Sequence, residues 1–83
     1  MQTYHFTAIL ADVTELTDEM CERLFEAGCD DGTPASSQDS AFVHFDREAD
    51  SLEAAIRSAI ANVQAAGYAV AYVKIETAEL TQA

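Results

Sequence analysis

The stretch DSLEAAIRSAIANVQAAG, residues 50–67, decides the fold. Leu52, Ala55, Ile56, Ala59, Ile60 and Val63 follow the i, i+3, i+4, i+7, i+8, i+11 spacing of a single helical stripe. Asp50 with Glu53, or Ser51 alone, can open this helix. Glu53 and Arg57 stand in the favoured i, i+4 order, and Gly67 closes it. A helix with one continuous apolar stripe must bury it against another layer. The neighbours on both sides supply that layer. AFVHFDRE, 41–48, alternates Ala41, Val43 and Phe45 with Phe42, His44 and Asp46, the period of a strand. YAVAYVKIE, 68–76, alternates Ala69, Ala71, Val73 and Ile75 with Tyr68, Val70, Tyr72 and Lys74.

The same order appears upstream. TYHFTAIL, 3–10, reads as a strand with Tyr4, Phe6, Ala8 and Leu10 on one face and His5, Thr7 and Ile9 on the other. TDEMCERLFEAG, 17–28, reads as a helix. Thr17 is its N-cap, and Asp18 and Glu19 suit the positive end of the dipole. Its expected apolar face is Met20, Cys21, Leu24 and Phe25, and Gly28 stands where a left-handed C′ glycine belongs. TPASSQDS, 33–40, is a loop or a weak edge strand, and Pro34 suits an edge. The order strand, helix, weak strand, strand, helix, strand predicts an α+β chain of the ferredoxin-like split βαβ kind, with two helices on one face of an antiparallel sheet. The first and last strands are expected side by side at its centre. Residues 1–76 form one domain in this reading, and 77–83 form a tail without core pattern.

Composition excludes several functions. The chain has 83 residues, 15 acids, four bases and a net charge of −11. Arg23, Arg47, Arg57 and Lys74 are scattered, so this chain alone is expected to be repelled by nucleic acid and by anionic lipid. It contains no apolar run of about 18 residues, so no membrane span is predicted. MQTYHFTAIL has neither a basic n-region nor a cleavage signature. Cys21 and Cys29 form no framework and match no standard zinc spacing, which points to free thiols in a reducing, cytoplasmic setting.

The run EAGCDDG, 26–32, concentrates chemistry-bearing residues. The simpler reading is a helix end, an apolar Cys29 plug and a turn made by Asp30, Asp31 and Gly32. A cation site needs more oxygen ligands, and a reactive Cys29 needs a basic neighbour where the sequence has acids. Phosphate-loop, nucleophile-elbow and zinc-protease motifs are absent from the sequence. The expectation is no enzyme, no metal and no cofactor.

The uncovered sheet face is the candidate site. The alternations place His5, Thr7, Ile9, Phe42, His44, Val70 and Tyr72 there, too apolar a set for a bare surface. Either the face forms an interface, in a homodimer or by docking another domain, or the loop or tail folds across it. A metal bound by His5 and His44 would need Asp46 as a third ligand, and structural histidines are far commoner.

LFEAGCDDG together with FVHFDREADSLEAAIRSAIANVQAAGY and VKIETAEL resembles a family of small bacterial DNA-binding proteins. These have an N-terminal domain of about this length followed by a helix-turn-helix. The resemblance runs from Tyr4 to about Leu80. In that family the helix-turn-helix begins where this chain reads Glu79-Leu80-Thr81 and stops. The resemblance therefore implies an oligomerisation or regulatory domain, cut from a longer regulator or standing alone, with no catalytic or DNA-contacting residue among the matching positions. A small-ligand or protein-interaction module unrelated to DNA is the alternative.

Overall fold

A computed structural model describes residues 2–37 and 40–75. It contains β1 (Gln2–Leu10), α1 (Asp18–Glu26), β2 (Gly32–Ser37), β3 (Ser40–Ala49), α2 (Leu52–Ala65) and β4 (Val70–Ile75). The chain is α+β: one four-stranded sheet in the order β2-β3-β1-β4, with every neighbouring pair antiparallel. Each strand–helix–strand unit is thus split by a strand from the other unit. β1 and β3 form the centre. β4 does lie beside β1, but at the sheet edge rather than the centre expected for it, because β3 takes the other side of β1 and is itself flanked by β2. Of the 33–40 segment, the part through Ser37 is edge strand β2, where Pro34 lacks the N–H that a central position would require, and 38–39 lie outside the described residues. The tail 77–83 lies outside the described residues.

Both helices start and stop as their sequences predict. Thr17 Oγ1 accepts the Met20 N–H at 3.2 Å, and Ser51 Oγ accepts the Ala54 N–H at 3.1 Å. At the α1 end, the Cys29 N–H reaches the Leu24 carbonyl and the Gly28 N–H the Phe25 carbonyl. At the α2 end, Tyr68 and Gly67 repeat the pattern on Val63 and Gln64. These are Schellman closures, and they need positive φ at C′. Gly28 at +114° and Gly67 at +97° supply it.

One core joins the layers. Tyr4, Phe6, Ala8 and Leu10 of β1 meet Ala41, Val43 and Phe45 of β3, under Leu24 of α1 and Ala55, Ala59 and Val63 of α2. Phe6 and Phe45, paired across the strands, stack with centroids 5.4 Å apart. Small residues on α2 let this helix lie close to the sheet, while the aromatics fill from below. Two expectations about faces fail. In α1 only Leu24 is fully buried, and Phe25 is 65% exposed. The helix is therefore rotated so that Leu24 alone plugs the core, with Val13 and Leu16 of the preceding loop filling in beside it. In β4 the register shifts between Ile9 and Leu10: Leu10 pairs with Val70 and Ile9 with Tyr72, so Ala71 is the extra residue of a bulge. Tyr68 and Val70 consequently pack on the core with Val73 and Ile75.

Candidate interaction surface on the open sheet face

The EAGCDDG segment is a structural joint. Arg47 sits on the core side of β3, opposite Tyr4, and is buried. Its Nε–H donates to Asp31 Oδ2 at 2.7 Å and an Nη2–H donates to Asp31 Oδ1 at 2.8 Å. Nη2 also donates to the Gly28 carbonyl at 3.0 Å, and Nη1 to Ser58 Oγ at 2.9 Å. The guanidinium lies over the Phe45 ring, 5.0 Å from its centroid. One side chain thus ties β3 to the α1–β2 turn and to α2. Arg47's hydrogen bonds hold the Asp31 carboxyl below its ordinary value, and the same pair raises the guanidinium. Cys29 is buried beside this pair, and desolvation pushes its thiol up, which makes it a poor nucleophile. The turn reading of Asp31 was incomplete. The missed signal is the alternation Ala41, Val43, Phe45, which carries position 47 inward. A buried arginine there requires a carboxylate partner.

The other sheet face divides into cross-strand rows. Ala35, Phe42, Ile9 and Tyr72 form an apolar row across all four strands. Ile9 is only 7% exposed, flanked by Phe42 and Tyr72, and Tyr72 is 54% exposed. The next row is Thr33, His44, Thr7 and Lys74, and beyond it His5 pairs with Asp46 and Thr3 with Glu48. His5 Nδ1 donates to Asp46 Oδ1 at 2.5 Å. His44 Nδ1 shares a hydrogen bond with Thr7 Oγ1 at 2.9 Å, and its Nε2 lies 3.6 Å from Asp46 Oδ1. Of the seven predicted surface residues, the structure places His5, Thr7, Ile9, Phe42, His44 and Tyr72 on this face. Val70 belongs to the core side because of the bulge. Among the described residues no cluster of His, Cys, Asp or Glu is arranged to hold a metal ion, and no helix is long and apolar enough to cross a membrane.

Charge is distributed unevenly between the layers. Among the described residues the four strands hold two acids, Asp46 and Glu48, while residues 12–31 hold eight. Both histidines lie on the open face. Lys74 also stands there, against Asp46 and Glu48, so the described residues of this face carry little net charge on a strongly acidic chain.

Comparison with protein-family models, with curated proteins and with solved structures finds no match for this chain.

Proposed function

We propose that this chain is a non-catalytic accessory domain that forms a homodimer through its open sheet face. The apolar row Ala35–Phe42–Ile9–Tyr72 carries this reading. A contiguous apolar strip on a sheet face suits association. The charge distribution favours a second copy as the occupant: two chains of −11 repel each other except where their acids are sparse. The split arrangement of both strand–helix–strand units supports reading the fold as ferredoxin-like. The two free thiols suit a reducing, cytoplasmic setting. Service as the oligomerisation or regulatory domain of a bacterial helix-turn-helix regulator rests on the sequence resemblance alone. A dimer would fit that role, because paired half-sites take paired readers.

The non-catalytic reading has a geometric basis. Thr7, His44 and Asp46 follow the hydroxyl–imidazole–carboxylate order of a nucleophilic site. However, the 3.6 Å His44–Asp46 separation is beyond hydrogen-bond length. Thr7 also lies on a central strand paired on both sides, so the ladders occupy the amides that an oxyanion would need.

Light scattering tests the proposal. Wild type should have the mass of a dimer, and the Phe42→Asp, Tyr72→Asp variant should be a folded monomer. A wild-type monomer at about 100 μM, above the range of specific association, would overturn it.

A further inference from the structure

Helix α1 carries an aromatic side chain that the fold leaves unused. Phe25 stands about 100° around the helix from the buried Leu24. Cys21, one turn earlier on the same stripe, is half-buried. With Glu22 and Glu26, these two line a shallow depression on the helical side of the molecule, away from the open sheet face. The surrounding charge limits what can cover this stripe. Residues 12–31 carry eight acids against one base, Arg23, which is held by Glu19 at 2.7 Å. Glu22 and Glu26 enter no ion pair among the described residues. A second copy would bring the same acids to this surface, and nucleic acid or anionic lipid would bring phosphates.

We propose that the outer face of α1 docks a basic protein segment. An apolar side chain of the partner packs on Phe25 and Cys21, and its Lys or Arg side chains meet Glu22 and Glu26. An aromatic anchor ringed by charge is the usual anatomy of a small interaction site. Arginine in the partner gains further from the Phe25 ring face. This surface lies on the opposite layer from the dimer face, so the two can be occupied together, and the proposal does not depend on dimerisation.

The probe is a fluorescein-labelled amphipathic helical peptide of Lys and Leu, titrated with the full chain and followed by anisotropy at about 150 mM salt. Phe25→Ser should weaken binding about tenfold, the effect of losing a single aromatic anchor. Glu22→Gln with Glu26→Gln should weaken it severalfold and flatten its salt dependence, and Tyr72→Ser should leave it unchanged. Phe25 and Glu22 are exposed, so these variants should keep the wild-type circular dichroism and melting temperature. No binding by wild type would overturn the proposal. So would binding that survives Phe25→Ser, or an equal loss in Tyr72→Ser. A fall in the solution mass caused by Phe25→Ser would also overturn it, because it would make the occupant a second copy.

Discussion

Arg47 is the buried charge on which three segments meet, and its energetics rest on one partner. The Asp31 carboxylate takes two of its N–H groups. Asp31 is half-buried, and without it the buried guanidinium keeps, among the described residues, only Ser58 Oγ and the Gly28 carbonyl, a loss of about 2 kcal/mol. On a small domain with total stability of about 5 kcal/mol, that is a large share of the reserve. Asp31→Ala should therefore shift the urea midpoint strongly, whereas Asp30→Ala, on an exposed neighbour, should hardly move it. The pH dependence follows from the same pair. The folded value of Asp31 lies below its ordinary 3.8, so ionised Asp31 stabilises the fold. That contribution is complete above the unfolded value and is lost as pH falls through the lowered folded value. The midpoint gap between wild type and Asp31→Asn should be constant from pH 7 to about pH 5 and close below about pH 4, as urea titrations at each pH would record. The neighbouring thiol gives an independent reading of the same joint. Cys29 should resist a disulfide reagent until the chain unfolds, while the half-buried Cys21 reacts in the native protein. Two equally fast thiols would mean that the joint opens readily.

At the scale of the elements, the helix ends were the most legible features, because capping is local chemistry. Thr17, Ser51, Gly28 and Gly67 act as their positions predict. The two closing glycines should nevertheless differ in mutational cost. A Cβ on Gly28 would stand 2.8 Å from Asn62 Nδ2 of α2, and one on Gly67 would meet nothing within 4 Å. Both substitutions strain a positive φ, at about 1–2 kcal/mol. Gly28→Ala must in addition displace Asn62, so it should lower the melting temperature more than Gly67→Ala. Adding Asn62→Ala should remove that excess if the clash is its source. The α2 stripe and the alternations of β1 and β3 were readable for the same local reason. The β4 bulge and the rotation of α1 were not. The bulge exists only in the pairing with β1, and a strict period of two carries Val70 to the wrong face. The outward turn of Phe25 depends on how much room the sheet leaves beside Leu24, which helical spacing does not encode. Six of the seven predicted surface residues lie on that face, five because β1 and β3 are regular and Tyr72 because it follows the β4 bulge. Arg47 was missed because its partner lies 16 residues away.

At the scale of the whole molecule, the division of charge between the layers gives opposite salt responses for the two proposed surfaces. Each copy carries −11, and among the described residues ten acids lie on or around the helices and two on the strands. A dimer joined at the open sheet faces keeps the acidic layers outermost, yet two like-charged bodies still approach each other. Salt shortens the reach of that repulsion, from about 30 Å at 0.01 M to about 8 Å at 0.15 M. The apolar row loses nothing to screening. Dimer dissociation should therefore become weaker, by severalfold, as salt rises from about 20 to 300 mM, as sedimentation or light scattering at graded concentrations would measure. The complex of α1 with a basic segment should respond the other way, because there attraction is screened. A dimer that loosens with salt would mean that charged rows, with His5–Asp46 and Lys74 meeting across the two copies, hold it together in place of Phe42, Ile9 and Tyr72. The Phe42→Asp, Tyr72→Asp variant would then still dimerise at low salt, so the two measurements together assign the contact to one end of the sheet face or the other.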